Sequence, residues 1–226
     1  MFIRQQPLKC RGENGMGNEF VRDVDIVIAM MRDELDDEMY DKMLRLRDDL
    51  VEMYNRNVVK INHSTMELVA AMYLVQNGFD VEIEYNLNGV STDVYARKGY
   101  GSLIVEVETG FVPPDHALDP LTYLRARVSS KITRYSSFAN KFVLASPSHY
   151  IMQIPGSLTK PPRFRTEEEV AHLKTLCDMY YTSPPVTLEE IRNARIHSIY
   201  VVDVEKTRVK EWDIHEYMGK AALWNV

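Results

Sequence analysis

Carboxylates recur in this chain at positions where neighbouring elements need apolar surfaces. Glu106 and Glu108 are two residues apart in the β-like run Ser102–Glu108, so both point to one face while Val105 and Val107 point to the other. Asp93 opens a second such run, Thr92–Arg97. Glu67 sits in a helical pattern whose neighbours at i+3, i+4 and i+7 are Ala70, Ala71 and Leu74, which places it on an apolar stripe. Like charges brought together repel one another unless a proton or cation intervenes. A cluster of Asp93 and Glu106 with a backbone carbonyl and waters suits Mg²⁺ or Mn²⁺, hard cations that prefer oxygen.

Each residue also has a plainer account. Asp93 could be a strand-edge residue, and Glu106 and Glu108 a solvated strand face. Ser64-x-x-Glu67 reads as a capping box, which would occupy Glu67 without a metal. Arg127, Lys131 and Tyr135 recur at four-residue steps on a basic helix, and that face could simply be solvated. His63, His116, His149, His172, His197 and His215 include no i, i+4 pair, which argues against zinc, and His149 takes no catalytic role. Cys10 and Cys177 fit neither a disulfide framework nor a zinc motif.

The elements that must position these groups follow from periodicity and turn signals. Residues Met1–Asn18 read as a flexible leader. Val21–Asn57 is helical, as one long helix or two joined near Met30–Asp33, with Leu35, Met39, Met43, Leu46 and Leu50 as its apolar stripe. That stripe could dock on the rest of the chain or zip against a second copy. A helix from Ser64 should stop at Gly78. Phe79–Tyr85, Val90–Arg97 and Ser102–Glu108 form a meander, with Gly99-Tyr100-Gly101 as its second turn and Asp80, Glu82 and Glu84 on the solvent side of its first strand. Helix Leu121–Phe138, strand Lys141–Ala145, a long loop Ser146–Arg165, helix Thr166–Tyr181, a short helix Leu188–Ala194 and a last strand Ser198–Asp203 complete the order. The fold class is therefore α/β, a mixed β-sheet flanked by helices with an N-terminal long-helix extension. The expected division is residues 1–62 as leader and extension and 63–226 as the main domain.

The order of elements from Ser64 to Ser146, with Asp93 and Glu106-x-Glu108 in place, resembles the PD-(D/E)XK (restriction-endonuclease-like) nuclease core. In layout it is nearest to the archaeal Holliday-junction resolvases, which carry a glutamate on the first helix. The resemblance implies an Mg²⁺- or Mn²⁺-dependent endodeoxyribonuclease acting on branched or structured DNA in replication, recombination or repair. It implies metal ligation by Asp93, Glu106 and the Val107 carbonyl, and a homodimer, since two sites are needed to cut two strands. Glu108 stands where the commonest motif has lysine. A second carboxylate there could ligate a metal or act as base, and Lys131, then Arg127, is the candidate for the displaced cation. The catalytic set is thus Glu67, Asp93, Glu106, Glu108 and Lys131. A catalytically inactive DNA-binding or assembly module on the same fold, or a scaffold built on the acidic helix, are the rivals.

Charge distribution bears on the partner. The net charge is −6, yet its acidic residues crowd between Asp33 and Glu52, and none falls between Pro120 and Arg165. That second segment carries Arg125, Arg127, Arg134, Lys141, Lys160, Arg163 and Arg165, a footprint for DNA phosphates, or alternatively a face that docks on the acidic helix. Tyr150 and Phe164 could stack on unpaired bases. No stretch approaches the roughly 20 apolar residues of a membrane span, and no signal-peptide core is present, so a cytoplasmic location is expected.

Overall fold

The computed structural model describes residues 14–58, 63–87 and 89–223. Helix α1 (Asn14–Met31) begins inside the stretch read as a leader, whose earlier residues lie outside the described ones. A 3₁₀ turn, Arg32–Glu34, separates it from α2 (Asp37–Asn55), so the helical region is two helices, parted where the sequence suggested. Asp36 caps α2 by accepting from the Met39 N–H at 2.8 Å. Then come α3 (Ser64–Gln76), the meander β1 (Asp80–Leu87), β2 (Val90–Lys98) and β3 (Gly101–Val107), and α4 (Pro120–Tyr135). Strand β4 (Lys141–Pro147), the single turn α5 (Gly156–Thr159), α6 (Glu167–Asp178), α7 (Leu188–Asn193), β5 (Ser198–Asp203), β6 (Arg208–Asp213) and α8 (Ile214–Ala222) follow.

The strands form one six-stranded mixed sheet in sequence order, β1 to β6. The β1–β2, β2–β3 and β5–β6 pairs are antiparallel, while β3–β4 and β4–β5 are parallel. Alternation along β3 and β4 sends Leu103, Val105, Val107, Val143 and Ala145 to one core and Ile104, Phe142 and Leu144 to the other. The first core lies under α1, α2 and α3, the second under α4, α6, α7 and α8. The chain is thus α/β, with helices on both faces of the sheet.

The N-terminal helices pack on the rest of the chain. Met43, Leu46 and Leu50 of α2 are buried with α1, α3 and the sheet in one cluster, so the seam offered to a second copy is spent inside the chain. Truncating Leu50 to alanine is expected to cost about 2–5 kcal/mol, as for other buried leucines. Urea unfolding reads this directly, and an unchanged midpoint would show that the stripe does not pack here. Because α3 is covered by α1 and α2 on one side and the sheet on the other, nearly all of it is buried and it has no wide solvent face.

Two regions depart from expectation. The 146–165 loop is pinned: Met152, Ile154 and Leu158 enter the second core, and a 3₁₀ turn at Pro162–Phe164 follows α5. Strand β6 and helix α8 extend the sheet beyond the last expected strand. Strand β6 is a charged edge with little apolar alternation, which is how edges avoid further pairing and why periodicity passes over it. Among the described residues, no helix is long and apolar enough to cross a membrane.

Candidate active site

The site forms where β2 and β3 part. Their ladder runs through Val94↔Val105, which places Asp93 opposite Glu106. There side chains take over from backbone pairing. The Asp93 N–H donates to Glu106 Oε1 at 3.1 Å, and the Val107 N–H donates to Asp93 Oδ2 at 2.6 Å. On the other flank, Ile83↔Val94 and Tyr85↔Thr92 pair while Glu84, between them, has φ +47° and drops out. A non-glycine residue in that region is strained, and such residues cluster at functional sites. The register sets Glu84 across from Asp93, and its Oε2 accepts from the Ser91 hydroxyl at 3.2 Å. Burial, then the charge of Asp93, raises the Glu84 pKa.

Glu106 is 1% exposed, and burial followed by the charge of Asp93 pushes its pKa up to about 8. Lys131 answers that charge from α4. Its Nζ lies 3.2 Å from Glu106 Oε2 and 3.4 Å from Asp93 Oδ2, and it donates to the Val107 carbonyl at 2.6 Å. Burial lowers the affinity of this ammonium for its proton, but the charges of Asp93, Glu106 and Glu108 outweigh it, and its pKa is raised. Tyr135, one turn on, is pushed up to about 12 by burial and then by Glu106.

Glu67 reaches Asp93 from the opposite layer. The expected capping box does not form: the N-cap is His63, so Glu67 is one position too far along to reach back to the cap, and Ser64 Oγ is buried without a partner. Glu67 Oε1 instead lies 2.6 Å from His63 Nδ1. Its other oxygen, Oε2, is buried and makes no hydrogen bond. Burial pushes Glu67 up to about 7 against the His63 hydrogen bond, with the charge of Asp93 adding to the rise. Burial lowers the His63 pKa, yet the Glu67 hydrogen bond and the Asp93 charge prevail, and it is raised. One ligand atom each from His63, Glu67 and Asp93 lie within 4.8 Å of one another.

Glu108 and Val107 are engaged elsewhere than the sequence suggested. Glu108 has no exposed surface, and both its oxygens are held, Oε2 by Arg127 Nε at 2.5 Å and Oε1 by the Gly110 N–H at 3.1 Å. The Val107 carbonyl, expected at a metal, accepts from Lys131. Gly110 adopts φ +76°, and a Cβ there would stand 2.5 Å from Tyr150 Cδ2, so only glycine fits. Tyr150 therefore packs on this turn and is not free to stack on a base, whereas Phe164 stays 60% exposed with Arg163 over its ring.

The basic residues do not form one surface. Arg125 and Arg163 are exposed. Arg127 is committed to Glu108, Lys160 pairs with Glu169, and Arg134 donates to the Pro184 carbonyl. Lys141 pairs with Leu103 at one end of β3, whereas Val107 and the carboxylates are at the other, about 13 Å away at strand rise. Arg165 is a clamp: it donates to the carbonyls of Ser157, Leu158, Lys160, Ile191 and Arg192, tying the 146–165 segment to α7. His63 and Glu84 are the site residues that sequence reasoning missed. A search for His–Glu as well as His–His pairs at i, i+4 finds the first, but no sequence signal marks the positive φ of the second. Comparison with protein-family models, curated proteins and solved structures returns no match for this chain.

Proposed function

We propose that the chain is a metal-dependent endonuclease of the restriction-endonuclease-like type, hydrolysing phosphodiester bonds of branched or structured DNA, with a cytoplasmic location. The observation that carries this reading is the convergence of Glu67, Asp93, Glu106 and Lys131 at the open end of the β2–β3 pair. The residues present fit a divalent cation, because Glu67 presents a buried, unpartnered oxygen beside Asp93 and His63. Asp93 and Glu67 would hold the ion. When bound, Mg²⁺ or Mn²⁺ there would polarise a phosphoryl oxygen and acidify a water.

The chain's own groups do the rest. Lys131 keeps its proton across neutral pH and carries positive charge to the place where phosphate charge would build. The Val107 N–H fixes the Asp93 carboxylate in orientation. Arg125 and Arg163, exposed on the segment free of acidic residues, would contact backbone phosphates, which position DNA without reading its sequence.

Purified protein with Mg²⁺ or Mn²⁺ is expected to cut at least one of linear, nicked, flap and four-way DNA, and Asp93→Asn to bring cleavage to background. Intact DNA throughout, or a variant as active as wild type, would sink the proposal.

One observation favours a second reading, an inactive DNA-binding or assembly module. The Lys131 ammonium grips Val107 O, Asp93 and Glu106, the groups the resemblance gives to metal. That reading expects salt-sensitive DNA binding that survives Asp93→Asn and needs no metal.

A further inference from the structure

Lys131 approaches Asp93 from the Glu106 and Val107 side, so a cation joining Asp93 comes from the side of α3. Three observations describe what meets it there. Glu67 has a side chain with no exposed surface, and its Oε2 is left without a hydrogen bond. A buried carboxylate oxygen without a partner is costly, and a cation is the partner that offsets most of that cost. His63 is the third member, with its ring oriented by the 2.6 Å contact between Nδ1 and Glu67 Oε1. Nδ1 is the ring nitrogen on the Glu67 side, so it is the one that would pass from the Glu67 hydrogen bond to an ion shared with Glu67. Ligand atoms sharing one ion at about 2.0–2.2 Å stand no more than about 4.4 Å apart. The atoms of this group all lie within 4.8 Å of one another, so an ion asks for shifts of no more than a few tenths of an ångström.

The donor set matters for which ion binds. Mg²⁺ demands oxygen ligands in near-ideal octahedral geometry and gives up its waters reluctantly. An imidazole beside two carboxylates suits first-row transition cations instead. We infer that His63, Glu67 and Asp93 form a mixed nitrogen–oxygen site selective for a divalent first-row transition cation over Mg²⁺, with His63 as a direct ligand. This rests on the metal-dependent reading above and narrows it to the class of ion.

The test uses the full chain, calorimetric titration with Mn²⁺ and with Mg²⁺, and electron spin-echo spectroscopy of the Mn²⁺-loaded protein. Mn²⁺ is expected to bind at least about tenfold more tightly than Mg²⁺, and His63→Gln to weaken Mn²⁺ by about 10–100-fold with a much smaller effect on Mg²⁺. The echo should show ¹⁴N coupling from the imidazole in wild type and lose it in His63→Gln. If the variant does not fold, the wild-type echo decides alone, because His63 is the only histidine in the metal-competent group among the described residues. Mn²⁺ that binds, requires Asp93 and shows no nitrogen coupling would overturn this inference and leave the nuclease reading standing. If neither ion binds wild type, both readings fall.

Discussion

Replacing Lys131 with methionine is expected to destabilise the protein by about 3–5 kcal/mol and to abolish cleavage, the largest combined effect of any single change at the site. Methionine keeps the apolar stem and deletes only the charge. Glu106, 1% exposed, and the half-buried Asp93 then face each other without a cation, and the Val107 carbonyl loses its donor. The deficit should depend on pH with a definite sign. The Glu106 pKa is already raised to about 8 in the folded protein, so between its unfolded value, about 4.3, and that point the folded state holds more protons. Stability from this group therefore falls as pH rises through the window. Removing the ammonium raises the folded pKa further and extends the window upward, so the variant's deficit should be greater at pH 8 than at pH 5. Urea midpoints at the two pH values measure it. Adding Glu106→Gln to Lys131→Met should recover most of the stability and none of the cleavage. A Lys131→Met protein as stable as wild type at pH 8 would mean the ammonium is not holding this cluster.

Arg127→Met should cost a similar amount, about 3–5 kcal/mol, for a different carboxylate. Both oxygens of Glu108 are buried, and Arg127 is its only cationic hydrogen-bond partner among the described residues. The double change Arg127→Met with Glu108→Gln should lose much less than the two singles summed, and a double-mutant cycle by urea unfolding gives the coupling. The same geometry speaks to Glu108→Lys, which installs the residue commonest in the resembled motif. It would set an ammonium against the Arg127 guanidinium in a place with no exposed surface, and loss of the folded state is expected. If Glu108→Lys folds and cuts DNA faster than wild type, Glu108 is a catalytic defect and not half of a structural pair.

The layers of this fold were legible because its burial pattern is regular. Gly78 and Gly99 mark turns, the strands alternate, and Thr166 with Glu169 forms the capping box its spacing announces. The convergence of Asp93 with Glu106 was legible too, since hairpin register follows from the turn. What escaped was long-range or conformational. Arg165 looked like a phosphate ligand because charge is visible in a sequence and the five carbonyls that consume it are not. Glu108 looked like a second metal ligand because strand parity gives the face and not the neighbour, and here the neighbour is Arg127. Glu67 looked amphipathically placed, but α3 is covered on two sides and has almost no polar face against which to judge it.

The side-chain clips between β2 and β3 also act on folding fidelity. Antiparallel hairpins can slip by a residue, and each such slip turns every side chain to the wrong face. In this hairpin a slip would drive Glu106 among the valines of the first core, leave its charge without Lys131, and strip the Val107 N–H of the Asp93 carboxylate. The misaligned product is penalised by a stranded charge as well as by mismatched packing. The carboxylates at this end of the sheet thus act as its proofreaders, and a chain without them has lost a safeguard on how it pairs.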